Sequence, residues 1–125
     1  MDILLTPTSQ LKELQSAFQE KYPHLKIEFF SITHEDHKPS SRENMLDNSL
    51  TLKEVSKLVD SRWVSLNGHS KVSSFEEHAQ QALGIGVQVF RKQGHSWIQT
   101  TSTDDWTLAQ QEQHAISYNK VEIRS

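Results

Sequence analysis

Hydroxyl, carboxylate and indole side chains follow one another in the run TTSTDDWT, residues 100–107. Such groups hydrogen-bond polar ligands, the indole stacks on them, and two adjacent carboxylates can act as an acid and a base. Asp104, Asp105 and Trp106 are therefore candidate ligand-binding residues. The alternative is structural, because Asp and Thr satisfy the free N–H groups at the start of a helix and a Trp anchors the join.

A basic cluster lies just before this run. Arg91, Lys92 and His95 surround a predicted hairpin turn, where they can bind an anion or an acidic partner. Charged residues at a hairpin tip also protect an exposed sheet edge. We take Arg91 and His95 as candidate ligand-binding residues and expect the hairpin to bring them near the turn Thr103–Trp106.

Two histidines form the string most typical of a metal site. His34 and His37 are three residues apart with two carboxylates between them, and imidazole and carboxylate groups bind divalent ions of intermediate softness. A solvated polar loop is the alternative. The sequence contains no glycine-rich phosphate loop before a helix, no G-x-S-x-G and no H-E-x-x-H, so we assign no catalytic residue and expect no cofactor.

Composition excludes several classes of function. The 125 residues carry 13 basic and 16 acidic side chains, a formal net charge of −3, and no cysteine. This balance argues against nucleic-acid or anionic-lipid binding, and the lack of cysteine excludes disulfides and thiolate sites. The start MDILLTP has too few apolar residues for a signal peptide, and no stretch is long enough to span a membrane. We expect one cytoplasmic domain, residues 1–125.

Periodicity in the first half predicts a helix and a strand. The spacing of apolar residues at three and four predicts a helix over 8–22, ended by Pro23. The run 25–32, LKIEFFSI, is apolar on both faces and predicts an interior strand. Residues 33–49 are almost wholly polar and predict a long loop.

The second half shows three helix-start signals and several strands. Capping boxes are predicted at Thr51 with Glu54, Ser73 with Glu76, and Thr107 with Gln110, and Leu52, Val55, Leu58 and Val59 give the first of these helices its apolar stripe. Gly84 suits the end of the second helix. Strands are predicted at 63–66, 85–91 and 96–101, the last two as a hairpin, and 121–123 is a further possible edge strand.

The predicted elements indicate an α+β fold. We expect a two-layer sandwich in which a mixed sheet of four to five strands carries helices mainly on one face. Helix, stop residue and strand occur twice, ending in IEFF at 27–30 and VQVF at 87–90. With a short strand before each helix, these segments form two related βαβ units, and we hypothesise an internal duplication.

Three motifs resemble a family of short bacterial proteins with no assigned activity. The motifs are LKIEFF at 25–30, GVQVFRK at 86–92 and TDDWTL at 103–108. The resemblance covers the first helix and strand and most of 72–111, leaves out 33–49, and implies a stand-alone α+β domain without supplying catalytic residues. It also draws attention to Trp97, which we add to the candidate ligand-binding residues.

One sheet face is the basis for the functional hypothesis. With helices on one side, the opposite face, carrying Phe30 and Phe90, requires a cover that a second copy or a client chain can provide. We therefore expect a noncatalytic interaction or assembly module that binds a protein partner or forms a homodimer. The alternative is a small polar-ligand-binding protein or small enzyme with its site at Thr103–Trp106.

Overall fold

The computed structural model describes residues 2–56 and 60–124, with side chains as far as residue 119. In chain order the main elements are β1 (Asp2–Leu5), α1 (Leu11–Lys21), β2 (Leu25–Phe30), α2 (Leu52–Val55), β3 (Arg62–Ser65), α3 (Val72–Leu83), β4 (Gly86–Gln93), β5 (Ser96–Gln99) and α4 (Leu108–Arg124). Single 3₁₀ turns occupy Arg42–Asn44 and Thr101–Thr103. Of the helices described, none is both long and apolar enough to cross a membrane.

The strands form two antiparallel sheets. β1 pairs with β3, while β2, β4 and β5 form a three-stranded sheet in the order β2-β4-β5. The α+β class is therefore confirmed, but the single mixed sheet is not formed. The strands on either side of α1 belong to different sheets, as do those on either side of α3, because each pairs with its counterpart from the other half of the chain.

The two strand–helix–strand units repeat position by position. Buried apolar side chains lie at 11, 14, 18 and 22 in the first unit and at 72, 75, 79 and 83 in the second, a constant offset of 61. The backbone bonds at the two helix starts also match: Leu11 N–H to Leu50 O and Leu52 N–H to Ser9 O, against Val72 N–H to Trp106 O and Leu108 N–H to Ser70 O. Both units connect the small sheet to the large one, as the duplication hypothesis requires.

The core lies between α1, α3 and the inner face of the three-stranded sheet. Leu25, Ile27 and Phe29 alternate inward on β2, as do Val87 and Val89 on β4, and all are fully buried. Burying these side chains provides the main apolar contribution to stability, about 25 cal/mol for each Å² removed from water.

The outer sheet face is covered by the chain itself. Phe30 and Phe90 are only 1% and 9% exposed. The segment predicted as a loop crosses this face beside Phe30, and Lys26 lies over the ring of Phe90. Met45 forms a bridge with Phe30, and the Leu46 N–H donates to the carbonyl of Phe29. A partner is therefore not needed to bury these two rings.

Three other predictions need comment. The strand that begins at Leu25 ends at Phe30, and Ile32 is 61% exposed rather than interior. The possible edge strand at 121–123 is wrong, because α4 continues to Arg124. Leu58 and Val59, predicted to extend the helix that begins at Leu52, lie outside the described residues.

A close approach at Gly86 generates the first prediction. A Cβ there would lie 2.2 Å from the Ile32 carbonyl oxygen and 3.0 Å from the Phe30 Cβ. We expect Gly86→Ala to lower the free energy of unfolding by about 2 kcal/mol, because the backbone must shift to relieve the overlap. Urea unfolding measures this, with exposed Ser31→Ala as the control. Equal stability of the two variants would contradict the prediction.

Candidate functional site

An open cleft of about 460 Å³ lies on the outer face of the three-stranded sheet. Its floor comes from β2 and β4 through Phe30 and Phe90, and β5 contributes Trp97. Arg42 and Met45, from the segment that crosses the face, form a wall. The volume lies in the range of sites that hold a small molecule or a few residues of a peptide.

A lysine over two aromatic rings gives the cleft its chemistry. The Nζ of Lys26 lies 5.4 Å from the ring centroid of Phe90 and 5.1 Å from that of Trp97. It also lies 3.5 Å from Glu28 Oε1. The rings and the carboxylate hold the ammonium group in place while Lys26 remains partly exposed. The cleft therefore combines a positioned positive charge with apolar surface.

Ser40 fixes the covering segment to the sheet. Its N–H donates to Gln99 Oε1 and its carbonyl accepts from Gln99 Nε2, both at 2.9 Å. Its hydroxyl donates to Gln88 Oε1 at 3.2 Å. The Gln99 amide thus pairs with the segment as a backbone group of a strand would.

A second group of polar side chains, which we call the acidic recess, lies at the edge of β4. It consists of Glu76 and Asp104, which are buried, with His34 and His37 from the covering segment above them and Asp105 beside His37. Glu76 Oε2 accepts from the Val89 N–H at 2.7 Å, and Asp104 Oδ2 accepts from the His37 N–H at 3.1 Å.

Burial raises the pKa values of both recess carboxyls. Desolvation raises the pKa of Glu76 to about 9, and the nearby Asp104 and Asp36 charges add to this effect. Desolvation also raises the pKa of Asp104, against the opposing influence of its bond from the His37 N–H and of the two histidines. Glu76 Oε1 and Asp104 Oδ1 are buried without a hydrogen-bond partner, a costly arrangement.

The first unit contains an uncharged counterpart of the recess. With the offset of 61, Gln15 corresponds to Glu76. The Lys12 N–H donates to the Asn48 carbonyl as the Ser73 N–H donates to that of Asp104, so Asn48 corresponds to Asp104. Asn48 Nδ2 donates to Gln15 Oε1 at 2.7 Å. The same backbone arrangement therefore holds a hydrogen-bonded amide pair in the first unit and, in the second, two carboxyls that each have one oxygen without a hydrogen-bond partner.

Arg91 and the turn before α4 come together as expected, but as a structural unit. Arg91 Nη1 donates to Gln111 Oε1 at 2.7 Å and to Thr103 Oγ1 at 3.5 Å, and its guanidinium lies 5.8 Å from the ring centroid of Trp106. Arg91 is 9% exposed, and burial lowers its pKa. These contacts join β4 to α4, and none of these side chains lines the cleft.

The remaining candidate ligand-binding residues lie in different parts of the structure. Trp97 lines the cleft, whereas His95 is exposed at the hairpin turn and does not. Asp105 is exposed and lies 3.5 Å from His37 Nε2, so it belongs to the recess. Sequence reasoning missed Glu76, Lys26 and Arg42.

The histidines make hydrogen bonds to carbonyl groups. His34 Nδ1 lies 2.9 Å from the backbone carbonyl oxygen of Glu35, and Nε2 lies 2.8 Å from that of Val87. His37 Nδ1 lies 2.9 Å from the Thr101 oxygen. Among the described residues, no three His, Asp or Glu side chains converge as metal ligands. Metal binding by His34 and His37 stays a prediction that this geometry does not favour.

Comparison of the chain with protein-family models, with curated proteins and with solved structures finds no match. The resemblance based on LKIEFF, GVQVFRK and TDDWTL therefore stays a prediction.

The matched positions Glu76 and Gln15 generate the second prediction. Because the folded-state pKa of Glu76 lies far above its ordinary value of 4.5, its contribution to stability is complete below pH 4.5 and is lost as pH rises toward 9. We expect Glu76→Gln to raise the free energy of unfolding at pH 8 by about 1–3 kcal/mol and to flatten its pH dependence. The new amide also offers Asp104 a hydrogen-bond donor.

Urea unfolding at pH 5, 6.5 and 8 measures this effect. The reciprocal variant Gln15→Glu is the control, and we expect it to be less stable than the parent protein at pH 8, because its carboxylate faces Glu28 and loses the Gln15 amide donor to the Ile27 carbonyl. If the Glu76→Gln protein is less stable than the parent at pH 8, the assignment of Glu76 as a neutral buried acid is contradicted.

Proposed function

We propose that this protein is a noncatalytic interaction module and that the cleft on its outer sheet face binds an acidic segment of a protein partner. The observation that supports this best is the position of Lys26, held over Phe90 and Trp97 at the centre of an open surface. A carboxylate of the partner would bind the ammonium group, and an adjacent apolar side chain would fill the space between the rings and Met45.

Charge complementarity favours an acidic occupant. Lys26 and Arg42 both line the cleft, against the single carboxylate of Glu28, although the whole chain carries a net charge of −3. Arg42 is exposed on its 3₁₀ turn. The cleft thus carries more positive than negative charge, which promotes association with acidic partners and makes it sensitive to salt.

An extended segment fits the edge of the sheet. β5 is the last strand in the order β2-β4-β5, so within the described residues its other edge has no strand beside it. A partner strand added there forms main-chain hydrogen bonds while its side chains reach the neighbouring cleft. Trp97 and Gln99 lie on β5 and line this cleft.

The buried acids argue against catalysis. Glu76 and Asp104, whose pKa values are raised, are 1% and 0% exposed, and neither lines the cleft. A general acid must reach its substrate within hydrogen-bond distance. A ligand site at Thr103–Trp106 stays the alternative prediction, although Arg91 is already bonded there. A cytoplasmic location accords with the lack of cysteine.

Charge reversal in the cleft is the third prediction. The probe is a fluorescein-labelled peptide of alternating glutamate and leucine, and a lysine–leucine peptide is its comparison. We expect the acidic probe to bind more tightly, and Lys26→Glu or Arg42→Glu to weaken its binding by about tenfold, as for loss of one charged contact. Fluorescence anisotropy at low salt measures the affinity.

Lys12→Glu is the matched control, because Lys12 is exposed on α1 and does not line the cleft. It changes the net charge equally, so it should leave probe binding within about twofold of the parent. Equal weakening by all three reversals would show a nonspecific charge effect and reject the cleft as the site. Light scattering without peptide tests whether a second copy of the chain occupies the cleft instead. A dimer that Lys26→Glu dissociates would show that the cleft binds a second copy and not an acidic partner.

A further inference from the structure

The acidic recess and the cleft are joined by one continuous segment of chain. His34 and His37 lie on the recess, Ser40 is bonded to the sheet, and Arg42 and Met45 form the cleft wall. Four residues separate His37 from Arg42 along the chain. The recess contacts and the cleft wall are therefore parts of one covering segment, which Ser40 anchors to the sheet between them.

His34 is the inner contact of this segment. Its side chain is 6% exposed, and Nε2 lies 3.7 Å from Glu76 Oε1. Both ring nitrogens face carbonyl oxygens, which only accept hydrogen bonds. The two bonds form together only when the ring carries both protons. The Gln80 side chain holds the backbone of His34 on both sides, accepting from its N–H and donating to its carbonyl at 3.1 Å.

His37 is the outer contact, and its side chain is 48% exposed. Its N–H donates to buried Asp104, and its ring bonds the Thr101 carbonyl. That carbonyl bond is the largest cause of a raised His37 pKa. Desolvation, the second-largest influence, opposes it, and the charges of Asp105, Asp104 and Asp36 add to the rise. The groups facing the two histidines are thus Glu76 from α3, Asp104 and Asp105 from the turn before α4, and Asp36 from their own segment.

We propose that residues 33–40 are a proton-dependent latch: with His37 protonated the segment is docked in the acidic recess beside Asp104 and Asp105, and loss of this proton releases it and moves the cleft wall formed by residues 41–45. The Gln15–Asn48 pair shows that the same backbone arrangement is satisfied by uncharged side chains in the first unit. In the second unit the buried carboxyls of Glu76 and Asp104 face the histidines of the covering segment instead, and they make its docking depend on protons.

The direction with pH follows from His37. A histidine whose pKa is raised on docking contributes fully below its ordinary value of 6.5, and the contribution is lost as pH rises through the docked-state value. Burial acts in the same direction on Asp104 and Glu76, because desolvation is the largest cause of their raised pKa values, whereas the contacts with the two histidines lower the pKa of Asp104. The segment is docked in mild acid and released in mild base.

Nuclear magnetic resonance of the full chain without any ligand tests the latch. The imidazole signals and the backbone amides of residues 33–45 are followed from pH 5.5 to 9. We expect His37 to titrate with a midpoint above 6.5 and the amides of 41–45 to shift with the same midpoint. A His37 midpoint at or below 6.5, or amides of 41–45 that do not move with it, would overturn the proposal.

Three variants separate the latch from general effects of charge. His37→Asn keeps a residue type that tolerates the left-handed backbone of this position, φ 59°, and at pH 6 its 41–45 amides should be displaced from those of the parent toward the parent's positions at pH 9. Asp105→Asn, at an exposed site, should lower the His37 midpoint without affecting the core. In His95→Asn, a change at the exposed hairpin turn, the His37 midpoint and the shifts of the 41–45 amides should match those of the parent. An unchanged spectrum of His37→Asn, or equal effects of His37→Asn and His95→Asn, would contradict the latch.

Binding of the acidic probe peptide at pH 6 and pH 8.5 gives a separate readout that rests on the proposed function. A change in affinity that is present in the parent and absent in His37→Asn links latch and cleft. If the peptide binds at neither pH, the cleft proposal fails, whereas the latch is decided by the spectra alone.

Discussion

The unpaired edge of β4 is the constraint on which this structure depends. β4 has eight residues and β5 has four, so the first half of β4 has no strand on that side among the described elements. Its buried N–H and C=O groups still need partners. Side chains supply them: Gln80 accepts from the Val87 N–H, His34 lies against the Val87 carbonyl, and Glu76 accepts from the Val89 N–H.

This solution explains why a protein with a small core keeps acids inside it. Glu76 can accept from Val89 only from a buried position, and burial makes its ionisation unfavourable. Asp104 lies beside Glu76, because its backbone carbonyl accepts from the Ser73 N–H at the start of α3. Its side chain accepts from the His37 N–H. The Val89 N–H is thus satisfied by a carboxyl group, whereas an amide, that of Gln15, bonds the strand backbone at the matching position of the first unit.

Local patterns predicted the elements well and their pairing poorly. The apolar spacing of α1 and α3, the capping boxes of Thr51 and Thr107, and the hairpin of β4 and β5 all follow from neighbouring residues, and the structure confirms them. Sheet membership depends on which strands meet across 60 residues. The repeat of helix and strand was visible in the sequence. It fits equally well a parallel crossover within each unit and the antiparallel pairing of strands between the two units that the structure shows.

The same limit explains which site residues were missed. Glu76 has the spacing of a capping-box residue after Ser73, yet α3 begins at Val72, which places Glu76 in the second turn facing β4. Lys26 and Arg42 look like ordinary surface charges, and only the folded sheet places them around one cleft. The Thr103–Trp106 turn attracted attention for its chemistry, and in the structure Arg91 and Gln111 bond Thr103 while Asp104 accepts from the His37 N–H.

A short β5 therefore has two consequences that belong together. It leaves the first half of β4 to be completed by side chains of α3 and by His34 of the covering segment, and it leaves that segment as the wall of the cleft on the outer face. A full-length fifth strand would satisfy Val87 and Val89 with backbone groups, whose hydrogen bonds do not titrate. Because histidine and carboxyl groups take that place here, the energy of docking the segment is tied to proton concentration. Any partner that binds against Arg42 and Met45 acts on the same equilibrium.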